Sequence, residues 1–241
     1  MTIRSLVRVA LLDPLRTLLP ARFRLGYDFF LLRLTGRAEE ELLELDRLLD
    51  RRDLAVDVGA NRGFYSYAFS RRFRRVVAFE PNPSIVADLR KLGAPNLEVH
   101  NVALSSEEGK LELFVPRVNG VEQHGWASFD RGNLPGATDF KVLEVPVKPL
   151  DAFGLRGVSF IKIDVEGHET AALAGAAETI RDGRPTVLIE VKDRNRAEVM
   201  RFFDGLDYAP FRLRGGTLVP WTPGGAGDEG ENFVFRPRPP A

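Results

Sequence analysis

Asp57-Val58-Gly59-Ala60-Asn61-Arg62-Gly63-Phe64 closes a short apolar run at 54–58 and opens an amphipathic stretch at 63–73. Gly59 and Gly63 let the backbone come close to a ligand that a side chain would exclude. Free amides at a helix start favour an anion or another hydrogen-bond acceptor. Glu80 ends the next apolar run, 21 residues after Gly59. A carboxylate there can accept both hydroxyls of a ribose. Loop and carboxylate together imply a nucleoside-containing cofactor. A dinucleotide fingerprint would continue with glycines at 61 and 64. Asn61 and Phe64 stand there instead, so the close pyrophosphate approach is not provided. Asp57, just ahead of the loop, offers a carboxylate to an ammonium. An amino acid joined to a ribose fits this pattern, and S-adenosylmethionine is such a molecule. The competing reading is a tight strand-to-helix turn with a capping aspartate.

Outward from this turn, short apolar runs alternate with amphipathic ones. Strands are expected at 54–58, 76–79, 97–102, 158–163 and 186–192. Helices are expected at 39–49, 63–73, 84–92, 169–181 and 197–206. Pro83 suits the first turn of the third of these. Such alternation predicts a parallel sheet covered on both faces. The middle departs from it. Segments 110–115 and 142–147 read as an inserted β pair, and 116–141 between them is rich in Gly, Asn and Pro. Long ordered connections are usually functional, so 116–141 is the candidate lid. Near the end, 208–213 and 218–221 suggest a hairpin, 224–230 a loop and 233–236 a last strand. The expected organisation is a helical extension at 1–50, one domain at 51–236 and a proline-rich tail at 237–241.

Composition narrows the function. The 241 residues contain no cysteine, which excludes disulfides, thiolate metal sites and a cysteine nucleophile. Lys plus Arg and Asp plus Glu are 34 each. That balance argues against nucleic acid as a partner. The zero is a sum of opposites: 1–37 carries a net +5 and 38–50 a net −5. The longest unbroken apolar run in the first 20 residues is four residues, 9–12, against about 20 needed to span a bilayer. Arg8 and Asp13 interrupt any signal-like core, so a cytoplasmic location is expected. Residues 1–20 retain a weak amphipathic pattern (Leu6, Val9, Leu12 and Leu19 against Arg4, Arg8 and Arg16), with Pro14 as a kink. That pattern suits a packed helix, a homodimer contact or a peripheral membrane contact.

DVGANRGFYSYAFS (57–70), VVAFEPNP (76–83), LEVHNVALSSEEGKLELF (97–114), FIKIDVEGHETAALAGA (160–176), VLIEVK (187–192) and NFVF (232–235) resemble the FkbM family of S-adenosylmethionine-dependent methyltransferases. IDVEGHE at 163–169 is the least generic of these segments. The resemblance implies a Rossmann-like class I methyltransferase: an α/β, mostly parallel seven-stranded sheet with helices on both faces. It also implies methylation of a hydroxyl on a sugar, glycan or natural product. By position, Gly59, Asn61, Gly63 and Phe64 would face the methionine part, with Asp57 near its ammonium. Glu80 would hold the ribose with Asn82 nearby. Asn101, Val102 and Ala103 would lie by the adenine, and Asp164 beside the sulfonium and the acceptor.

An alcohol becomes a good nucleophile once its proton leaves, so a nearby base helps. Asp164, Glu166 and His168 are the candidates. His168 has the best unperturbed pKa. Asp164 and Glu166 point the same way if the strand persists. Glu169 reads as a helix-start carboxylate. Lys162 interrupts an apolar strand and needs a partner; Glu190 on the next strand is the expected one. Asp164, Glu166 and Glu190 could offer oxygens to Mg²⁺, but no ligand spacing is diagnostic and no metal is assigned. In the lid, His124, Trp126, Ser128 and Arg131 are candidate acceptor contacts. Two rival readings are a nicotinamide-dependent oxidoreductase and a non-catalytic binding subunit.

Overall fold

Strands β1 (Leu54–Val58) and β8 (Val158–Ile163) are buried along their whole lengths. That is the pattern of central parallel strands covered on both faces. They pair in parallel with each other, and β2 (Arg75–Phe79) and β3 (Leu97–His100) extend the sheet on one side. On the other side come β9 (Thr186–Glu190), β12 (Asn232–Pro237), β10 (Tyr208–Arg214) and β11 (Thr217–Pro220). The order is β11-β10-β12-β9-β8-β1-β2-β3. β12 runs antiparallel to β9 and β10. The computed structural model describes residues 15–134, 137–224 and 231–239. Among them the sheet has eight strands, one more than the seven the resemblance implies; the edge strand is the second arm of the expected hairpin, 217–220, which folds back onto β10 at the Gly215-Gly216 turn. The amphipathic reading of 1–14, the loop 225–230 and the last two tail residues lie outside the described residues.

Each face has its own core. On one, Val56, Ile161 and Ile189 pack against α6 (Glu169–Ala174), α7 (Ala177–Gly183) and α8 (Arg196–Gly205). On the other, Ala55, Val76 and Phe160 pack against α4 (Phe64–Ser70) and two single-turn helices, α2 (Glu40–Leu43) and α3 (Leu45–Leu48). Leu45 and Leu48 are fully buried, so this part of the N-terminal extension belongs to the core. Ahead of it α1 (Ala21–Leu34) lies against α4, and α5 (Pro83–Arg90) follows β2. The expected helix at 39–49 is thus two turns broken at Glu44. The expected helix at 169–181 is also two. A Cβ at Gly175 would lie 2.0 Å from the Ser105 carbonyl oxygen, so the chain bends there to let the two backbones touch.

The inserted pair is longer than predicted. β5 (Gly109–Val118) and β7 (Phe140–Lys148) are antiparallel, and β4 (Ala103–Leu104) and β6 (Val121–Glu122) complete a second sheet. The strands therefore run into both ends of the expected lid. What remains between them contains short 3-10 turns at His124–Trp126 and Arg131–Asn133. Phe114 bridges to Ser128 and folds this segment back over the C-terminal ends of β1 and β8.

Candidate active site

Three strand ends meet at the turn after β1. The amides of Gly59 and Ala60 both donate to the Phe79 carbonyl at 3.0 Å, and the Asp164 amide donates to the Val58 carbonyl at 3.0 Å. Gly59 has φ +76, and a Cβ there would sit 1.9 Å from the Asp164 carbonyl oxygen. Only glycine allows that contact. At Gly63, φ +84, a Cβ would lie 2.3 Å from Leu89 Cδ1. Both glycines are required by backbone and core contacts, a stronger reason than room for a ligand.

Glu80 is buried at the end of β2. Its Oε2 accepts from the Asn61 amide and its Oε1 from the Asn82 amide, each at 2.8 Å. Burial pushes its carboxyl up to about 7, although both amides favour the charged form. Each oxygen keeps a lone pair for a further donor. Asn101 Nδ2 donates to the Glu80 and Pro81 carbonyls at 2.9 and 2.7 Å, which holds the turn in place. Asn82 caps α5 by accepting from the Ser84 amide, and its Nδ2 lies 3.0 Å from His124 Nδ1 of the lid.

A cleft of about 60 Å³ opens here. Gly59, Asn61, Glu80, Asp164 and Glu166 line its floor. Ala103 and Leu104 line one side; His124, Gly125, Ala127 and Phe129 of the lid cover it. Gly59, Asn61 and Asp164 also form the ridge of a neighbouring cleft of about 220 Å³. Gly63, Phe64, Tyr65 and Lys162 line this second space together with Arg37 and Glu39 of the N-terminal extension. Val102 packs on the core beside β4 and lines neither space.

Asp57 lines neither cleft. It is fully buried beneath the loop, where Oδ2 accepts from Ser66 Oγ at 2.6 Å and Oδ1 has no partner. Burial raises its carboxyl. The expected contact with a ligand ammonium is therefore not offered directly; the side chain props the turn from below. Its neighbour across the β1–β8 ladder is Lys162. Lys162 Nζ bonds Asp164 Oδ2 at 2.8 Å rather than Glu190. Across the β8–β9 ladder Lys162 faces Leu188, and Glu190 pairs with Lys192 instead. Burial works against the lysine's charge, and Asp164 and Asp57 outweigh it.

Glu166 adopts φ +48, in the left-handed region, and Gly167 follows at +98. The Glu166 carbonyl accepts from Ser128 Oγ and from Asn133 Nδ2, both at 2.8 Å. A Cβ at Gly167 would fall 2.2 Å from Asn133 Nδ2. Lid and strand-end loop are thus fitted to each other. The Glu166 carboxyl is raised by burial and by the nearby Asp164 charge. Lys192 Nζ lies 3.1 Å from Glu166, 2.8 Å from Glu190 and 3.0 Å from Glu231. Burial opposes its charge, and Glu190 and Glu231 hold it well above the usual lysine range. Burial and Asp164 push Glu190 up to about 7. The carboxylate oxygens of Asp164, Glu166 and Glu190 lie within 4.8 Å of one another, and the Lys192 ammonium is bonded to two of the three.

The remaining expected residues are placed elsewhere. His168 is not among the lining residues; its Nε2 lies 3.0 Å from Ser105 Oγ, its ring packs on Phe129, and burial lowers its pKa. Glu169 accepts from the Gly167 amide at 2.6 Å, the helix-start role expected of it. Of the four lid candidates only His124 reaches the cleft. Ser128 is buried as a hydrogen-bond hub, Trp126 is exposed, and Arg131 stacks on Phe114 at 4.5 Å. Sequence reading missed Asn133, Lys192 and the Tyr65 hydroxyl, which donates to Glu39 at 2.8 Å. Lys192, two residues past Glu190, was the one visible signal among them.

Sheet order and the position of the cleft define the Rossmann-like fold of class I methyltransferases. The methyltransferase FkbM domain family matches residues 57–210, and the chain belongs to that family. "Methyltransferase 1" of Beauveria bassiana (strain ARSEF 2860) is 29% identical over 164 residues, which is 57% of this chain. The chain spans 64% of that relative's length. The solved methyltransferase FkbM from Methylobacillus flagellatus KT is similar in fold, with TM-score 0.52 and 18% identity. That match covers 90% of this chain and 54% of the other.

Proposed function

We propose that the protein is an S-adenosylmethionine-dependent O-methyltransferase acting on a hydroxyl of a sugar, glycan or natural product. The observation that carries the reading is one cleft floored by Gly59, Asn61, Glu80, Asp164 and Glu166 beneath a fitted lid. The donor set suits the cofactor: Glu80 keeps a free lone pair on each oxygen for ribose hydroxyls, and Ala103 and Leu104 give an apolar wall for adenine. When bound, S-adenosylmethionine supplies an electrophilic methyl group. The chain then has to position the acceptor oxygen and take its proton. Glu166 is the proposed proton acceptor. It lines the cleft, and burial with the nearby Asp164 charge raises its affinity for a proton. Asp164, bonded to Lys162, orients the acceptor hydroxyl. His168, turned toward Ser105, has no part in this scheme.

Calorimetric titration with S-adenosylmethionine tests the cofactor. Saturable binding is expected, and no heat with no thermal shift overturns it. Transfer of labelled methyl groups into a cell extract then finds the acceptor. With a proven acceptor, turnover unchanged in Glu166→Gln would refute the assigned base.

A further inference from the structure

Helix α1 has two apolar faces. One is used: Leu25 packs beside Leu89, Phe29 meets Phe64 and Tyr67, and Leu32 joins the α4 core. The other carries Phe23, Phe30 and Leu34, spaced seven and four, so they form one stripe. Phe23, Phe30 and Leu34 are 52%, 57% and 47% exposed. Just before the helix, Leu15 and Leu18 are 49% and 79% exposed. Five of the eleven exposed large apolar side chains among the described residues thus fall in residues 15–34. An ordinary surface helix is apolar on one face only, so a second apolar stripe calls for a second partner.

Charge selects that partner. Arg22 and Arg33 flank the stripe and are exposed; Arg22 lies over the Phe23 ring at 4.8 Å. The one acidic residue between 15 and 38 is Asp28, on the inward side and bonded twice to Arg16. The outward face therefore presents aromatic and aliphatic groups beside two cations, with no carboxylate of its own segment. Two copies meeting through this face would set arginines against arginines, which is repulsive. A surface of anionic lipid headgroups neutralises them and accepts the apolar stripe at the acyl boundary. We infer that α1 docks this protein on an anionic membrane surface, lying in the interface without crossing it. No helix among the described residues is long and apolar enough to cross.

The test is flotation of the full-length protein with vesicles of phosphatidylcholine, with and without phosphatidylglycerol. Partitioning is expected on the anionic vesicles and weakened by salt. Phe23→Ser/Phe30→Ser/Leu34→Ser is expected to abolish it. Arg22→Glu/Arg33→Glu, which leaves the apolar stripe intact, should weaken it by about 30-fold or more, from roughly fivefold per cation lost. Unchanged thermal unfolding of both variants shows that the fold is kept; if the apolar variant unfolds, the charge variant alone decides. No partitioning of the wild type, or equal partitioning of the folded variants, overturns the inference. A dimer in sedimentation velocity that the apolar variant dissolves also overturns it, because the face then belongs to a second copy.

Discussion

The two ends of the cleft hold their carboxylates in opposite ways. At Glu80 one buried carboxyl is met by two neutral backbone amides and no bonded cation, and burial wins, pushing it up to about 7. At the lid end Asp164 is bonded to Lys162, and Glu166, Glu190 and Glu231 share Lys192. The first arrangement is short of donors and suits neutral hydroxyls that donate to it. The second sets four carboxylates against two lysines, which strengthens the hold of Glu166 and Glu190 on a proton. In the proposed function, one cleft combines binding and chemistry by changing what surrounds the same functional group.

The ends meet where Gly59 touches the Asp164 carbonyl, so Gly59→Ala should break the comparison most severely. A Cβ against backbone at positive φ should cost about 3 kcal/mol or more, or roughly 6–12 °C of unfolding temperature for a chain of this size. Thermal unfolding checks it, and an unchanged melting point would mean that the turn can relax. Next, Glu80→Ala should weaken S-adenosylmethionine binding by about 2–3 kcal/mol, on the order of 100-fold, with the lid end undisturbed. Calorimetry reads it directly.

Lys192→Met tests the lid end. It leaves Glu166 and Glu190 facing each other without their cation. Because the Lys192 side chain is 25% exposed, the expected loss is about 1–2 kcal/mol, below the figure for fully buried pairs. The loss should grow as pH rises through about 7, where Glu190 gives up its proton. Melting curves across pH measure it. The smallest effect is expected from Ser128→Ala or Asn133→Ala. Each removes one hydrogen bond to the Glu166 carbonyl, about 1 kcal/mol. Turnover should fall while cofactor affinity holds, since neither residue touches the Glu80 end.

The Glu80 end was largely legible in the sequence. Strand, turn and carboxylate lie within one unit from 54 to 80, so spacing alone brings them together. Even there Asp57 misled, because whether a strand residue faces ligand or core depends on the sheet above it. The lid end was legible only as a motif. Asp164, Glu166 and His168 are adjacent in sequence, but the left-handed turn at Glu166 sends Glu166 to the cleft while His168 turns to Ser105. Lys192 reaches Glu166 through strand register, and Asn133 through a folded insert; neither is encoded by local spacing.

The most direct test is S-adenosylmethionine affinity against pH in wild type and Glu80→Gln. Glu80 is raised from 4.5 to about 7 in the free protein, so between those values the folded state holds a proton that the unfolded chain has lost. Stability from this group is full below 4.5 and declines as pH rises toward about 7. Ribose hydroxyls donating to the carboxylate favour its charged form, so binding lowers that pKa and releases a proton. Affinity should therefore rise with pH up to about 7 and then level off, and Glu80→Gln should bind weakly without that slope. Equal, pH-independent affinity in both proteins would contradict the account.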